Sequence, residues 1–402
     1  MGKKAKRKMK KHYSVRRMSS SEAFFQSRAG RVALFFSVIA GVAAVVLLSV
    51  FVVAPLFDKK ETKSESTHLV KNPFRDSLNA NALPDAESYN LSSAVKEAKL
   101  ELLTAIDPYI YKNEIVFTTS SMKGGRLKYD KLYIYDCEKE KETQVENISV
   151  KYDNILFPCM NDNYIVFLDS SLSGGGRVCV YDRNTKKQTA LKDYLYAAPK
   201  VTLAGNMLMF MQQAGDSLDR LYIVQLDSME TVAYRVFSGL PLSPSAVNAC
   251  NGRAVYCIPY RTEDGFDRSR IYTLDFYSGT EIENEPGKLI NDIKTDGENV
   301  AFLTASAGMP TDLYCLEGKN LRLISKDVVN FDMGSGFIAY TKDDGVYAYR
   351  FRDNTNYKLN SDISRAYLCS AEGNMVCFMD VTGGFDDTVN TIKYLEVKFP
   401  DA

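Results

Sequence analysis

The 402-residue chain is 45% hydrophobic and 25% charged, which suits a folded body with one large core or two ordinary ones. Its formal net charge of zero hides an asymmetry: residues 1–31 carry eleven Lys/Arg against Glu22 alone, 32–57 carry none, and 58–402 keep 39 basic and 49 acidic residues, about −10. An acidic body excludes a nucleic-acid-binding role, which calls for a basic surface.

The first element in chain order is the basic tail, 1–31. Nine of its first seventeen residues are Lys or Arg. Such a block is solvated and is drawn to anionic lipid. The second is "VALFFSVIAGVAAVVLLSVFVVAPLF", Val32 to Phe57. A charge-free run of this length predicts a transmembrane helix, because a bilayer core of about 30 Å needs about 20 apolar residues. The run is too long for the apolar region of a cleaved signal peptide and ends without a small-residue cleavage site, so an uncleaved signal anchor is expected. The heavier basic side should stay cytoplasmic. The expected localisation is a cell membrane, single-pass, with residues 58–402 outside the cytoplasm. Residues 58–98 read as a polar linker, "DKKETKSESTHLVKNP" at its start.

From residue 99 the chain repeats itself. A short apolar run appears seven times. The first three are "NEIVFTT" at Asn113, "NYIVFLD" at Asn163 and "NMLMFMQ" at Asn206. The fourth is "RAVYCI", which follows Gly252. The last three are "ENVAFLT" at Glu298, "GFIAYTK" at Gly336 and "NMVCFMD" at Asn374. Each is followed by a second run such as "LYIYD" at Leu132 or "VCVYD" at Val178. One repeat parses as four strands: "NILFPCM" (a), "YIVFLD" (b), "RVCVYD" (c) and "QTAL" (d). Strand b is apolar on consecutive positions, so both its faces should be buried, whereas strand d is short and polar. Seven such repeats predict an all-β fold, a seven-bladed β-propeller of four-stranded antiparallel blades preceded by one transmembrane α-helix. The last repeat has no strand d. "KLELLT", Lys99 to Thr104, is expected to supply it and close the ring, since an open ring leaves unpaired edges.

The apolar strand b, the Gly/Ser-rich loop and the "hYhhD" run resemble TolB-like extracytoplasmic propeller repeats over 106–398. "SPDG", the strongest signature of those repeats, is missing from every blade. The resemblance implies a platform that binds a protein or a ligand, and it assigns no residue a role.

In a propeller the b–c and d–a loops share one face, and function is usually carried by loops on a rigid frame. The candidate ligand face is therefore built from Arg126, Arg177, Asp216, Glu263, Asp264, Asp267, Asp343, Asp344, Asp386 and Asp387. The acidic loops "EDGFD" and "DVTGGFDD" have no EF-hand spacing, and they read as solvated loops. The glycine runs "GGR" and "GGGR" lack the context of a phosphate loop. No metal or cofactor is expected.

Both histidines, His12 and His68, precede the repeats. This removes Ser-His-Asp and Cys-His machinery from the repeat region and argues against a His-ligated zinc site there. The sequence therefore reads as a non-enzyme: a membrane-anchored binding platform for a protein or cell-envelope ligand. The rival is a propeller-fold glycan hydrolase or lyase, which would need paired carboxylates in the channel. Four of the eight cysteines, Cys179, Cys257, Cys315 and Cys377, fall inside strands b or c, where a free thiol packs as a small apolar group. The Asp ending strand c reads as turn chemistry.

Overall fold

The computed structural model describes residues 69–71, 95–100, 104–123, 126–171, 173–213, 218–238, 240, 246–305, 311–317, 320–360, 366–382 and 389–400. The expected basic tail and membrane helix lie outside them. Seven sheets form seven blades, each an antiparallel meander from an innermost strand a to an outermost strand d. Blade 2 shows the pattern: Asn154–Met160, Tyr164–Ser170, Gly176–Asp182 and Lys187–Tyr194. The other innermost strands are Ala105–Tyr111, Lys200–Ala204, Ala246–Cys250, Ile290–Thr295, Asn330–Gly334 and Ala366–Glu372.

The repeated strand b motif is explained by one position. Phe117, Phe167, Phe210, Tyr256, Phe302, Tyr340 and Phe378 hold the same place in the seven blades, and none is more than 2% exposed. In five blades the residue opposite on strand c is also aromatic, and the two rings lie at low mutual tilt: Phe117–Tyr133, Phe210–Tyr222, Tyr256–Tyr272, Phe302–Tyr314 and Tyr340–Tyr347, with centroids 5.0–5.9 Å apart. Blades 2 and 7 place Cys179 and Lys393 there instead. Burying such a side chain contributes about 1.5–3 kcal/mol. The core is seven apolar clusters, one between each pair of neighbouring blades. The ring's seven described cysteines with described side chains are free thiols, six of them buried.

Blade 7 is completed from the N-terminal side, by residues just ahead of those expected. Lys96–Glu97 pair with strand c of blade 7 (Lys96↔Tyr394, Glu97↔Lys393), and the Ala98 N–H continues the ladder to the Ile392 carbonyl at 2.9 Å. Residues 101–103, in the middle of "KLELLT", lie outside the described residues. The reason for the shift is packing: Ala98 is buried among Ile392, Tyr394 and Tyr135, a slot that suits a small residue. Blade 4 gains a fifth strand. Leu69–Lys71 run parallel to its strand d, Glu281–Asn284.

Candidate functional site in the central channel

The innermost strands line the channel of a propeller. Four blades break register inside strand a: blade 7 between Tyr367 and Ser370, blade 1 between Ile106 and Tyr109, blade 2 between Leu156 and Cys159, and blade 5 between Ile290 and Asp292. In blades 1 and 2 the extra residues are an X-Pro pair, Asp107-Pro108 and Phe157-Pro158. Proline cannot donate to a ladder, so a strand that contains it must bulge. Both residues ahead of proline have positive φ, 52° at Asp107 and 49° at Phe157. For a bulky residue before proline this backbone is an outlier, and it costs on the order of 1–3 kcal/mol.

The bulges change what the channel presents. Phe157 is 50% exposed and Tyr367 42%, although both sit on innermost strands. Asp107 stands on the blade between them. Its carboxylate accepts the Phe157 N–H at 3.0 Å. Burial raises its pKa above the ordinary 3.8, and the hydrogen bond from Phe157 opposes this only in part.

Further along the channel a lysine sits among carboxylates. Lys294 of blade 5 approaches Asp332 of blade 6 at 3.6 Å. Burial works against its charge, but Asp332 and Asp292 outweigh it and hold the ammonium above its ordinary range. Burial raises the Tyr109 hydroxyl well above 10 and the Cys159 thiol to about 12, so neither is a ready base or nucleophile.

Polar side chains also stitch each innermost strand to the next. The Asn161 amide donates to the Gly205 carbonyl at 2.7 Å. Thr202 accepts the Ala249 N–H at 3.1 Å, Asn248 the Thr295 N–H at 2.9 Å, and Asp332 the Ala371 N–H at 3.0 Å. Ser370 and Glu372 accept the N–H groups of Ile110 and Lys112 at 3.3 and 2.9 Å. With Asp107–Phe157 and Lys294–Asp332, every junction of the ring is clasped at its inner edge.

The residues expected on the b–c face are taken up separately by their own blades. Arg177 binds the fully buried Asp169 at 2.7 Å, and Asp169 also accepts the N–H groups of Lys151 and Tyr152. Asp267 forms a two-point pair with Arg261, at 2.8 and 3.3 Å. Glu263 and Asp264 are exposed on that hairpin. Asp343 and Asp344 form the two-residue b–c turn of blade 6, where Asp344 accepts the Tyr347 hydroxyl at 2.7 Å. Arg126 pairs through its backbone with Lys123. Asp216, Asp386 and Asp387 lie outside the described residues. Among the described residues no group of three or more His, Cys, Asp or Glu is arranged to hold a metal ion.

The Asp ending strand c does turn work. Asp136 accepts two backbone N–H groups (Glu138, Lys139), as do Asp182 (Asn184, Thr185) and Asp275 (Tyr277, Ser278), all at 2.8–3.0 Å. Sequence reasoning passed over Asp107 and Phe157. The signal was present: two neighbouring repeats place proline at the same point of strand a.

No protein-family model and no curated protein matches the chain. Solved structures do. The β-propeller domain of the Trilobed protease from Pyrococcus furiosus matches with a TM-score of 0.54 at 13% identity, over 73% of this chain and 93% of that one. Oligogalacturonate lyase from Vibrio parahaemolyticus matches with 0.52 at 10% identity, over 77% and 96%. TolB from Acinetobacter baumannii matches with 0.44 at 11% identity, over 61% and 62%. Likeness at these identities shows the fold alone, a β-propeller. It corrects one expectation. The absence of histidine from the repeats was read as excluding an enzyme, yet the matching propellers belong to a protease and a lyase. This architecture houses enzymes, and the non-enzyme reading is withdrawn.

Proposed function

We propose that the chain is a propeller-fold enzyme that cleaves a glycan in its central channel. The observation that carries this reading is Asp107, a carboxyl with raised pKa, flanked across neighbouring blades by the exposed rings of Phe157 and Tyr367. A glycosidic leaving oxygen needs a carboxyl that can donate a proton, a role that a raised pKa favours, and aromatic faces suit the apolar faces of sugars. Asp107 donates that proton. The opposing carboxylate comes from Asp292 or Asp332, across the channel. The innermost strands hold four carboxylates (Asp107, Asp292, Asp332, Glu372) against Lys200 and Lys294. That balance favours a neutral or amino-bearing sugar over a uronate.

The test is the pH dependence of kcat/KM for release of reducing ends from a panel of neutral and amino polysaccharides. The alkaline limb should be set by Asp107 and vanish in Asp107→Asn, with activity down by about 10²–10⁴. A limb unchanged in that variant would remove Asp107 from the reaction.

We further propose that residues 32–57 anchor the ring at a cell membrane with 58–402 outside the cytoplasm. Their charge-free length supports this. Carbonate-resistant membrane association should disappear when 1–57 are removed, and its persistence would contradict the anchor.

A further inference from the structure

We infer that Asp292 of blade 5, and not Asp332 of blade 6, is the carboxylate that works opposite Asp107, given the glycan-cleaving reading on which this rests. The four register breaks of the innermost strands share one level of the ring. Asp107 and Phe157 each open the break of their strand, directly after the residue opposite Thr118 or Leu168. Tyr367 lies opposite Met379 and Asp292 opposite Leu303, at the edges of the other two breaks. Thr118, Leu168, Leu303 and Met379 each follow the repeated aromatic of strand b, on its b–c side. Asp292 thus stands level with Asp107 and with both exposed rings. Blades 1 and 5 are three junctions apart in a ring of seven, so the two aspartates belong to opposing walls. Asp292 is half-buried, and among the described residues its carboxylate accepts one hydrogen bond, from the Ile293 N–H at 3.0 Å.

Asp332 does other work, one level away. It lies opposite Ala339, one residue before the aromatic Tyr340. Thr202, Asn248 and Ser370 hold the same place, opposite Met209, Val255 and Cys377. Each of these four accepts a backbone N–H of the next blade, and Asp332 uses Oδ2 for the Ala371 N–H at 3.0 Å. Its Oδ1 accepts the Met333 N–H at 3.0 Å and faces the Lys294 ammonium at 3.6 Å. Both oxygens are engaged by the frame, in a clasp that recurs in three other blades. Asp292 has no such counterpart. Of the two, it is the one that departs from the repeat and keeps an oxygen for a reactant.

In the cleavage step the Asp107 carboxyl gives its proton to the leaving oxygen as the bond from that oxygen to the anomeric carbon breaks. The Asp292 carboxylate takes a proton from a water, and the oxygen of that water forms the new bond to the same carbon. Carboxylates on opposing walls suit a water held between them, and such a displacement inverts the anomeric centre.

The test measures kcat and KM of the full chain on the neutral and amino polysaccharides. Asp292→Asn should lower kcat by about 10²–10⁴ and leave KM nearly unchanged. Sodium azide, a small nucleophile that stands in for the activated water, should restore turnover in this variant and yield a glycosyl azide. Asp332→Asn should keep most of its kcat and melt at a lower temperature, because an amide offers one acceptor oxygen where the carboxylate offers two. NMR of the parent reaction should show the inverted anomer first. Parental kcat in Asp292→Asn, a kcat lost in Asp332→Asn alone, no azide rescue of a folded Asp292→Asn, or a retained anomer would overturn the inference and leave the glycan reading standing. A folded parent that cleaves none of the polysaccharides would instead remove that reading, and this role of Asp292 with it.

Discussion

Two sets of aspartates occupy the same ring and differ in every physical respect. Asp136, Asp182 and Asp275 recur at the end of strand c, accept two backbone N–H groups each, and have lowered pKa values. The Lys139 ammonium is the largest cause at Asp136, and the Thr185 and Ser278 N–H groups are at the other two. Asp107 occurs once, sits on a bulge at positive φ, and has a raised pKa. The first set makes a blade easier to build. The second makes it harder, and strain of that kind persists only where the surrounding structure enforces it. Repetition in this chain marks architecture, and departure from repetition marks the channel.

The largest expected effect lies on the architectural side. Phe167→Ala removes a fully buried strand b ring and should cost about 3–5 kcal/mol, read by denaturant unfolding. Asn248→Ala should cost about 1–3 kcal/mol, because it leaves the Thr295 N–H, now bonded at 2.9 Å, without its acceptor. Phe157→Gly sharpens the contrast. The ring is half exposed and its backbone is left-handed, so glycine relieves about 1–2 kcal/mol of strain while giving up partial burial. Stability should stay within about 1 kcal/mol of the parent, with glycan binding lost.

Linkage gives the two aspartate sets opposite pH signatures. A folded pKa below 3.8 means that Asp136, Asp182 and Asp275 stabilise above that pH and lose the contribution as pH falls through their folded values. Asp275→Ala should therefore destabilise the fold near neutrality and have no such effect in strong acid. Asp107 has the reverse sign. Its raised pKa favours the fold at low pH, and that advantage disappears as pH rises through the folded value. Asp107→Asn should thus raise the melting temperature at pH 7 and leave it unchanged near pH 3, as thermal unfolding at the two pH values would show.

Strand order, blade number and the strand b core were legible because each rests on a local pattern repeated seven times. Ring closure was legible in kind but displaced in place. "KLELLT" reads as a strand, yet what decides the register is the small slot at Ala98, a contact with residues nearly 300 positions away. The channel was not legible. Its clasps join residues 38 to 260 positions apart, as Lys294–Asp332 and Ser370–Ile110 show, and no pattern within one repeat announces them. The charged b–c residues drew attention by composition, and the fold then used Arg177 and Asp267 for pairs within their own blades.

The most direct measurement is cleavage of the polysaccharide panel by three forms of the full chain: the parent, Asp107→Asn and Asp275→Asn. The parent and Asp275→Asn should release reducing ends at comparable rates, and Asp107→Asn should be slower by about 10²–10⁴. Equal rates in all three, or no cleavage by the folded parent, would contradict the account.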